Sequence, residues 1–225
     1  DKFRQTQETR GDVSTGGHRR NEWEWSGTRG ALDTPVCAGA PLAGDEALDT
    51  LPPVFETNFE RQIFMLHRDG AEIEVAVDGG SILAGDKVRP LYEVEFELKS
   101  GAPEVLLRSA LELAEEVPVF LNLVSKAEQG YLLAGQYEPE VPVANEDGSP
   151  VSVTRFLEGL SVAWMRDLAY PVSQVDLSEV ASRASVVGLS DQLEQVFKDL
   201  EAGIRIPELA ETGSLGSLQI RLAAT

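Results

Sequence analysis

Hydrophobic and polar residues alternate most clearly between residues 90 and 99. Three glutamates in this stretch, Glu93, Glu95 and Glu97, are separated from one another by single apolar residues. Because successive side chains of a β-strand point to opposite faces, the pattern predicts a strand with one apolar face and one row of carboxylates. Carboxylates this close together repel each other unless cations lie beside them.

Further segments with strand-like composition fill the first part of the chain. The predicted strands cover residues 3–9, 19–26, 54–68, 72–77, 81–83, 90–99 and 117–123. Asp69-Gly70 and Asp78-Gly79-Gly80 have the composition of tight turns and predict hairpins between neighbouring strands. Short connections of this kind are typical of an antiparallel sheet.

The first two predicted helices follow the clearest strand. One begins in residues 100–103, with Pro103 at a first-turn position that tolerates proline, and an apolar stripe continues from there. A second helix is predicted at residues 125–133, directly after the predicted strand at 117–123.

The last third of the chain has a different composition. Residues 136–153 contain three prolines and several acidic residues, and are interpreted as a linker. The helices predicted beyond it cover residues 154–168 and 176–201. Short polar side chains favour helix N-caps, and the candidates here are Thr154 and either Asp176 or Ser178. The stretch from Pro207 onward has few structural signals.

Composition and charge narrow the function classes. The chain has 225 residues and a net charge of -19, which argues against nucleic acid and anionic membranes as partners. No run approaches the ~18 apolar residues of a membrane helix. Cys37 is the single cysteine, so an internal disulfide is excluded and a cytoplasmic location is favoured. With two histidines besides, the composition argues against a zinc site.

Several short motifs together resemble one known family, the CYTH domains. The motifs are Glu72-Ile73-Glu74-Val75-Ala76-Val77-Asp78-Gly79-Gly80, Glu93-Val94-Glu95-Phe96-Glu97-Leu98-Lys99-Ser100-Gly101, Ser125-Lys126-Ala127, Asn58-Phe59-Glu60-Arg61, and the opening Phe3-Arg4-Gln5-Thr6 with Arg20-Asn21-Glu22-Trp23. Within that family they are most similar to the bacterial inorganic triphosphatases, also called triphosphate tunnel metalloenzymes. The match covers residues 3–135, and the combination is more specific than any single piece.

This resemblance implies an α+β fold with an antiparallel β-barrel, or tunnel, and flanking helices. Residues 1–135 would be a partial CYTH domain and residues 136–153 a linker. Residues 154–225 stand where the family has its helical CHAD domain, but lack that domain's run of His and Arg and would be a degenerate remnant. The implied activity is metal-dependent hydrolysis of inorganic triphosphate to diphosphate and phosphate.

The resemblance also assigns roles to individual residues. The implied metal ligands, for Mg²⁺ or Mn²⁺, are Glu93, Glu95 and Asp78. The implied ligands of the triphosphate or polyphosphate are Arg4, Arg20, Arg61 and Lys126, and the implied catalytic residues are Asp78 and Arg61. Phosphoryl transfer depends mainly on positioning and charge neutralisation, which carboxylate-held metals and arginines supply.

Two departures from the family pattern bear on function. The family's N-terminal Glu-x-Glu-x-Lys signature is absent, and the chain begins with Asp1 inside a predicted strand, so we expect that a preceding piece is missing. Glu8 stands where the family has a lysine. An incomplete barrel would also leave strand edges unpaired, which predicts self-association.

Simpler interpretations of the same residues stay open. The glutamate row at residues 93–97 fits a solvated face of an edge strand, Asp78 fits an ordinary turn, and Arg61, Arg20 and Lys126 fit surface positions. Functional alternatives are a tunnel that binds polyphosphate or nucleotide without turnover, an adenylate cyclase of the same family, and an inactive fragment.

Overall fold

The computed structural model describes residues 3–9, 13–14, 17–18, 21–27, 52–145 and 147–225. The chain divides into two compact units, Asp1–Pro53 and Val54–Thr225. In the first unit, β1 (Phe3–Thr9) pairs with β4 (Asn21–Gly27) in antiparallel register, and the short strands β2 (Val13–Ser14) and β3 (Gly17–His18) pair with each other. The strands predicted at residues 3–9 and 19–26 therefore correspond to β1 and β4, which pair with each other.

A three-stranded antiparallel sheet forms the first half of the second unit. Its strands are β5 (Glu56–Arg68), β6 (Ala71–Ala84) and β7 (Lys87–Ser100), in the order β5-β6-β7. Asp69 and Gly70 have φ angles of 48° and 75° and form the first hairpin turn, as predicted. The sheet is not closed within the described residues, so the predicted barrel is not confirmed.

The predicted turn at Asp78-Gly79-Gly80 is wrong, because these residues lie inside β6. Each has a partner on both sides: Asp78, for example, stands opposite Arg61 of β5 and Glu93 of β7. Pairing with two strands therefore overrides the local turn composition. Glycine is needed at position 80 because a Cβ atom there would lie 2.5 Å from the Cα of Phe59.

The two faces of this sheet are covered by different helices. Helix α1 (Pro103–Glu116) packs against the apolar face, where Ile73 and Val105 form a buried core with Ala71. Helix α2 (Lys126–Leu133) lies against all three strands. Its N-terminus is fixed by a capping box in which the Ser125 hydroxyl accepts from the Glu128 N–H and the Glu128 carboxylate accepts from the Ser125 N–H.

Residues 117–123 do not form the predicted strand. Side chains of two later helices form hydrogen bonds with the backbone of this segment, as a neighbouring strand would. The N–H of Leu121 donates to Gln219 Oε1, its carbonyl accepts from Gln219 Nε2, and the N–H of Leu123 donates to Ser161 Oγ. The segment therefore satisfies its backbone polar groups without entering a sheet.

Five helices and one 3-10 turn, at Val172–Gln174, make up the described part of the C-terminal region. The helices are α3 (Val153–Met165), α4 (Ser178–Val186), α5 (Ser190–Glu201), α6 (Ile206–Ala210) and α7 (Ser214–Ala223). Nothing among the described helices is long and apolar enough to cross a membrane.

Three expectations for this region are corrected. The helix predicted at residues 176–201 is broken at Gly188, whose φ of 71° is left-handed. The N-cap of α3 is Ser152, whose hydroxyl accepts from Arg155 N–H, and not Thr154. The stretch beyond Pro207 is mostly helical, and in α7 residues 215, 218 and 222 form a fully buried leucine stripe.

Candidate functional site

The register of the sheet brings predicted site residues of three strands side by side. Arg61 of β5 stands opposite Asp78 of β6, and Asp78 stands opposite Glu93 of β7. Glu95 follows Glu93 on the same face, because alternate residues of a strand share a face. Two members of the polar row predicted from the sequence, Glu93 and Glu95, therefore face helix α2.

Helix α2 supplies a lysine to this face. Lys126 is its first residue, and its Nζ lies 3.1 Å from Asp78 Oδ2 and 2.9 Å from Glu95 Oε1. The same nitrogen also donates to Glu93 Oε1. The Asp78 side chain has no exposed surface and that of Lys126 is 17% exposed, so the pair between them is largely shielded from solvent. The Glu95 side chain is 43% exposed.

Arg61 is the second cation that contacts carboxylates of this cluster. Its Nε and Nη2 donate to Asp78 Oδ1 and Oδ2 at 2.7 and 2.6 Å, a side-on fork with two parallel bonds. Nη2 also donates to Glu95 Oε2 at 2.5 Å. Asp78 is therefore held by two cations at once, and it is the central carboxylate of the group.

The surroundings shift the protonation of the acidic residues in opposite directions. Burial acts to raise the pKa of Asp78, but hydrogen bonds from Arg61 and Lys126 outweigh it and the pKa is lowered. Burial, followed by the hydrogen bond with Glu95, raises the pKa of Glu93. Burial also opposes ionisation of Glu95, but its bonds with Glu93 and Lys126 lower its pKa overall.

Three carboxylates of this cluster could hold a metal ion. One oxygen each from Asp78, Glu93 and Glu95 lies within 4.8 Å of the other two. Around an octahedral Mg²⁺ ion, opposite ligand atoms are about 4.2 Å apart and adjacent ones about 3.0 Å, so the three carboxylates would move closer together on binding Mg²⁺ or Mn²⁺. Hard carboxylate oxygens are the ligands that these ions prefer. The ammonium group of Lys126 contacts the same three carboxylates.

The remaining predicted site residues are placed differently. Arg4 lies in β1 opposite Ser26, and its side chain is outside the described residues, as is all of Arg20. Glu97 shares the face of Glu93 but does not join the cluster. Its carboxylate lies 2.8 Å from Lys99 Nζ, which also contacts Glu74 at 3.3 Å.

Sequence reasoning missed two residues on the elements that carry the cluster. The ring of Phe59 has its centroid 5.4 Å from Arg61 Cζ and 5.5 Å from Lys126 Nζ, so both cations lie close to one aromatic ring. Phe59 lies two residues before Arg61 on the same strand, and this spacing, which places both side chains on one face, could have indicated the contact from the sequence. The other is Gln129, which is buried in α2 three residues after Lys126.

Comparison with known proteins adds one informative relative. No protein-family model matches the chain. The chain is similar to the inorganic triphosphatase of Haemophilus influenzae, with 34% identity over 136 residues, which is 58% of this chain and 38% of that protein. The chain therefore spans well under half the length of this relative. The likeness of residues 154–225 to a CHAD domain stays a prediction.

Proposed function

We propose that this chain carries metal- and phosphate-binding residues of an enzyme that hydrolyses inorganic triphosphate to diphosphate and phosphate. One observation carries the proposal: Asp78, Glu93 and Glu95 converge with Arg61 and Lys126 on a single face of the sheet. The similarity to a protein named inorganic triphosphatase supports the same substrate class.

The charges of the cluster suit a complex of a metal ion with triphosphate better than they suit the metal ion alone or the triphosphate alone. Three carboxylates and two cations leave one formal negative charge, so the free anion would meet repulsion as well as attraction. A divalent metal held by Asp78, Glu93 and Glu95 would neutralise phosphate oxygens and orient an attacking water. With their carboxylate partners engaged in this way, Lys126 and Arg61 become donors for phosphate oxygens.

We assign separate roles to the residues on this basis. Glu93, Glu95 and Asp78 hold the Mg²⁺ or Mn²⁺ ion. Arg61 binds the phosphoryl group through its planar fork, and Lys126 binds as a compact charge. Asp78 stays ionised because its pKa is lowered, so its carboxylate also accepts a hydrogen bond from the attacking water. Arg4 and Arg20 remain proposed phosphate ligands.

A second candidate function is binding of triphosphate, polyphosphate or nucleotide without turnover. Glu8 favours it, because the resemblance implies a lysine at this position, and an acidic residue weakens attraction for an anion. In the register of the first unit Glu8 is paired with another acidic residue, Glu22.

Phosphate release from inorganic triphosphate, measured with Mg²⁺ or Mn²⁺ and again after chelation, tests the proposal. Release should require the metal, and Glu93→Gln should reduce it by at least about 100-fold. Glu97→Gln is the matched control, because Glu97 lies on the same strand and face but pairs with Lys99. Metal-dependent binding without release would support the second candidate. Absence of both binding and release would reject both functions.

A further inference from the structure

Gln129 is a buried amide without a described partner. The residue is 1% exposed, and its Nε2 has no hydrogen-bond partner among the described residues. Leaving a buried donor unpaired is unfavourable, and such a group in a native protein requires an explanation. An unfilled ligand contact is one such explanation when the group lies beside a functional cluster.

The position of Gln129 connects it to the candidate site. Residues three apart in a helix lie on the same side, so Gln129 shares the side of α2 from which Lys126 reaches the carboxylates. Near the other end of α2, the Leu133 carbonyl accepts from Lys87 Nζ at the β6–β7 hairpin. The helix therefore runs along the sheet from the cluster toward this hairpin, and Gln129 lies one turn from Lys126.

On β6 and β7 the next positions along this path carry no polar side chain. On β5 the Thr57 hydroxyl stands opposite Ile82 and does not pair with Gln129 Nε2. Alternation places Gly80 and Ile82 after Asp78 on the same face of β6, and Leu91 next to Glu93 on β7. None of the three has a polar side chain. The unpaired amide of Gln129 therefore lies one helical turn from the lysine that joins α2 to the cluster, and an oxygen of a bound ligand would complete its hydrogen bonding.

A second buried glutamine, Gln219, shows that the side-chain amide of a buried glutamine can find hydrogen-bond partners in this protein. Gln219 is 0% exposed, yet its Oε1 accepts from the Leu121 N–H at 3.0 Å and its Nε2 donates to the Leu121 carbonyl at 3.1 Å. Burial of a glutamine in this fold therefore does not by itself leave Nε2 unpaired. The two residues form a natural pair for comparison.

We infer that Gln129 is a ligand-binding residue whose side-chain amide donates a hydrogen bond to an oxygen of the phosphate anion held at the cluster. The inference rests on the proposed function and extends it to a residue on α2. The unpaired atom is the donor Nε2, which can bond to an anion but not to a cation, so the inference concerns the anion; a metal ligand would use Oε1 instead.

The test is a calorimetric titration of the whole chain with Mg²⁺ alone, and then with imidotriphosphate, a non-hydrolysable analogue, in the presence of Mg²⁺. Gln129→Met should leave the affinity for Mg²⁺ unchanged and weaken the affinity for the analogue by roughly tenfold to a hundredfold. Its thermal midpoint should not fall, because the substitution removes an unpaired polar group. Gln219→Met is the control and should show the reverse: a lower midpoint and an unchanged affinity.

The possible outcomes of these experiments are distinct. If the unchanged protein does not bind the analogue, the proposed function fails. If it binds and Gln129→Met binds equally well, or if Gln129→Met lowers the midpoint as much as Gln219→Met, the inference about Gln129 is overturned. Should Gln129→Met fail to fold, the side-chain amide resonances of Gln129 in the unchanged protein decide the matter, because they should shift when the analogue is added and not with Mg²⁺ alone.

Discussion

Lys126 Nζ lies 3.1 Å from Asp78 Oδ2, and this contact joins the first residue of α2 to the middle of β6. The carboxylate is fully buried and the ammonium nearly so. Removing one member of a buried ion pair is costly because the other charge is left uncompensated. The stability of the sheet and helix and the chemistry of the candidate site therefore depend on the same pair.

Replacement of Lys126 by methionine should destabilise the metal-free protein. The change leaves Asp78, Glu93 and Glu95 with one cation fewer, and the free energy of unfolding in urea should fall by about 3 kcal/mol. Lys99→Met is the control, because Lys99 contacts two carboxylates at the surface and should cost less than about 1 kcal/mol.

The same variant should respond more strongly to Mg²⁺ or Mn²⁺. The metal ion and the ammonium group of Lys126 would bind the same three carboxylates. Removing the ammonium group therefore removes the group that competes with the metal ion. Added metal should raise the free energy of unfolding of Lys126→Met more than that of the unchanged protein. An equal increase in both would contradict the assignment of the carboxylates as metal ligands.

Arg61→Lys should show that the shape of the guanidinium matters as well as its charge. Lysine cannot reproduce the two parallel bonds to Asp78, and the free energy of unfolding should fall by about 1–2 kcal/mol. Triphosphate binding, followed by calorimetry, should weaken by about tenfold. Arg68→Lys changes a similar fork with Glu112 on the exposed surface and should leave binding unchanged.

Gly130→Ala should reverse the usual effect of alanine in a helix. A Cβ atom at this position would lie 2.3 Å from the ring of Phe55, so the substitution should destabilise the protein by about 1–3 kcal/mol. With Phe55→Ala already present the ring is gone, and Gly130→Ala should then stabilise the helix by up to about 1 kcal/mol. Equal effects of Gly130→Ala in both backgrounds, measured by urea unfolding, would argue against this contact.

Tyr170 should make the protein lose stability at high pH. Burial raises the pKa of its hydroxyl, which donates to the Pro142 carbonyl at 3.1 Å. In the unfolded chain the hydroxyl loses its proton near pH 10 while the folded protein retains it, so the unfolded state binds fewer protons and the free energy of unfolding falls as pH rises above about 10. Tyr170→Phe should reduce this decline in unfolding experiments at stepwise increasing pH. An unchanged slope would show that Tyr170 is not responsible.

The sequence predicts that the site residues lie close together, because strand alternation and the family resemblance both place them at one site. These residues are Arg61, Asp78, Glu93, Glu95 and Lys126. Their roles in binding and catalysis stay predictions. The turn expected at Asp78-Gly79-Gly80 shows the limit of local composition, since pairing with β5 and β7 on both sides decides the conformation.

Other features required three-dimensional information. Glu97 has the same alternation as Glu93, but Lys99 lies beside it and holds it away from the cluster. Gln129 has no sequence motif, and only its burial and its unpaired Nε2 single it out. The helices beyond Pro207 depend on packing: Leu215, for example, is fully buried, although the local signals are weak.

The hydrogen bonds between Gln219 and Leu121 join positions 98 residues apart. During synthesis on the ribosome, the segment that leads into α2 cannot find these partners until residue 219 has emerged. Contacts of such long range slow folding, because the intervening chain must first be ordered. The segment that leads into α2 is therefore completed late in folding, and a chain shortened within α7 would leave the backbone groups of Leu121 without these partners.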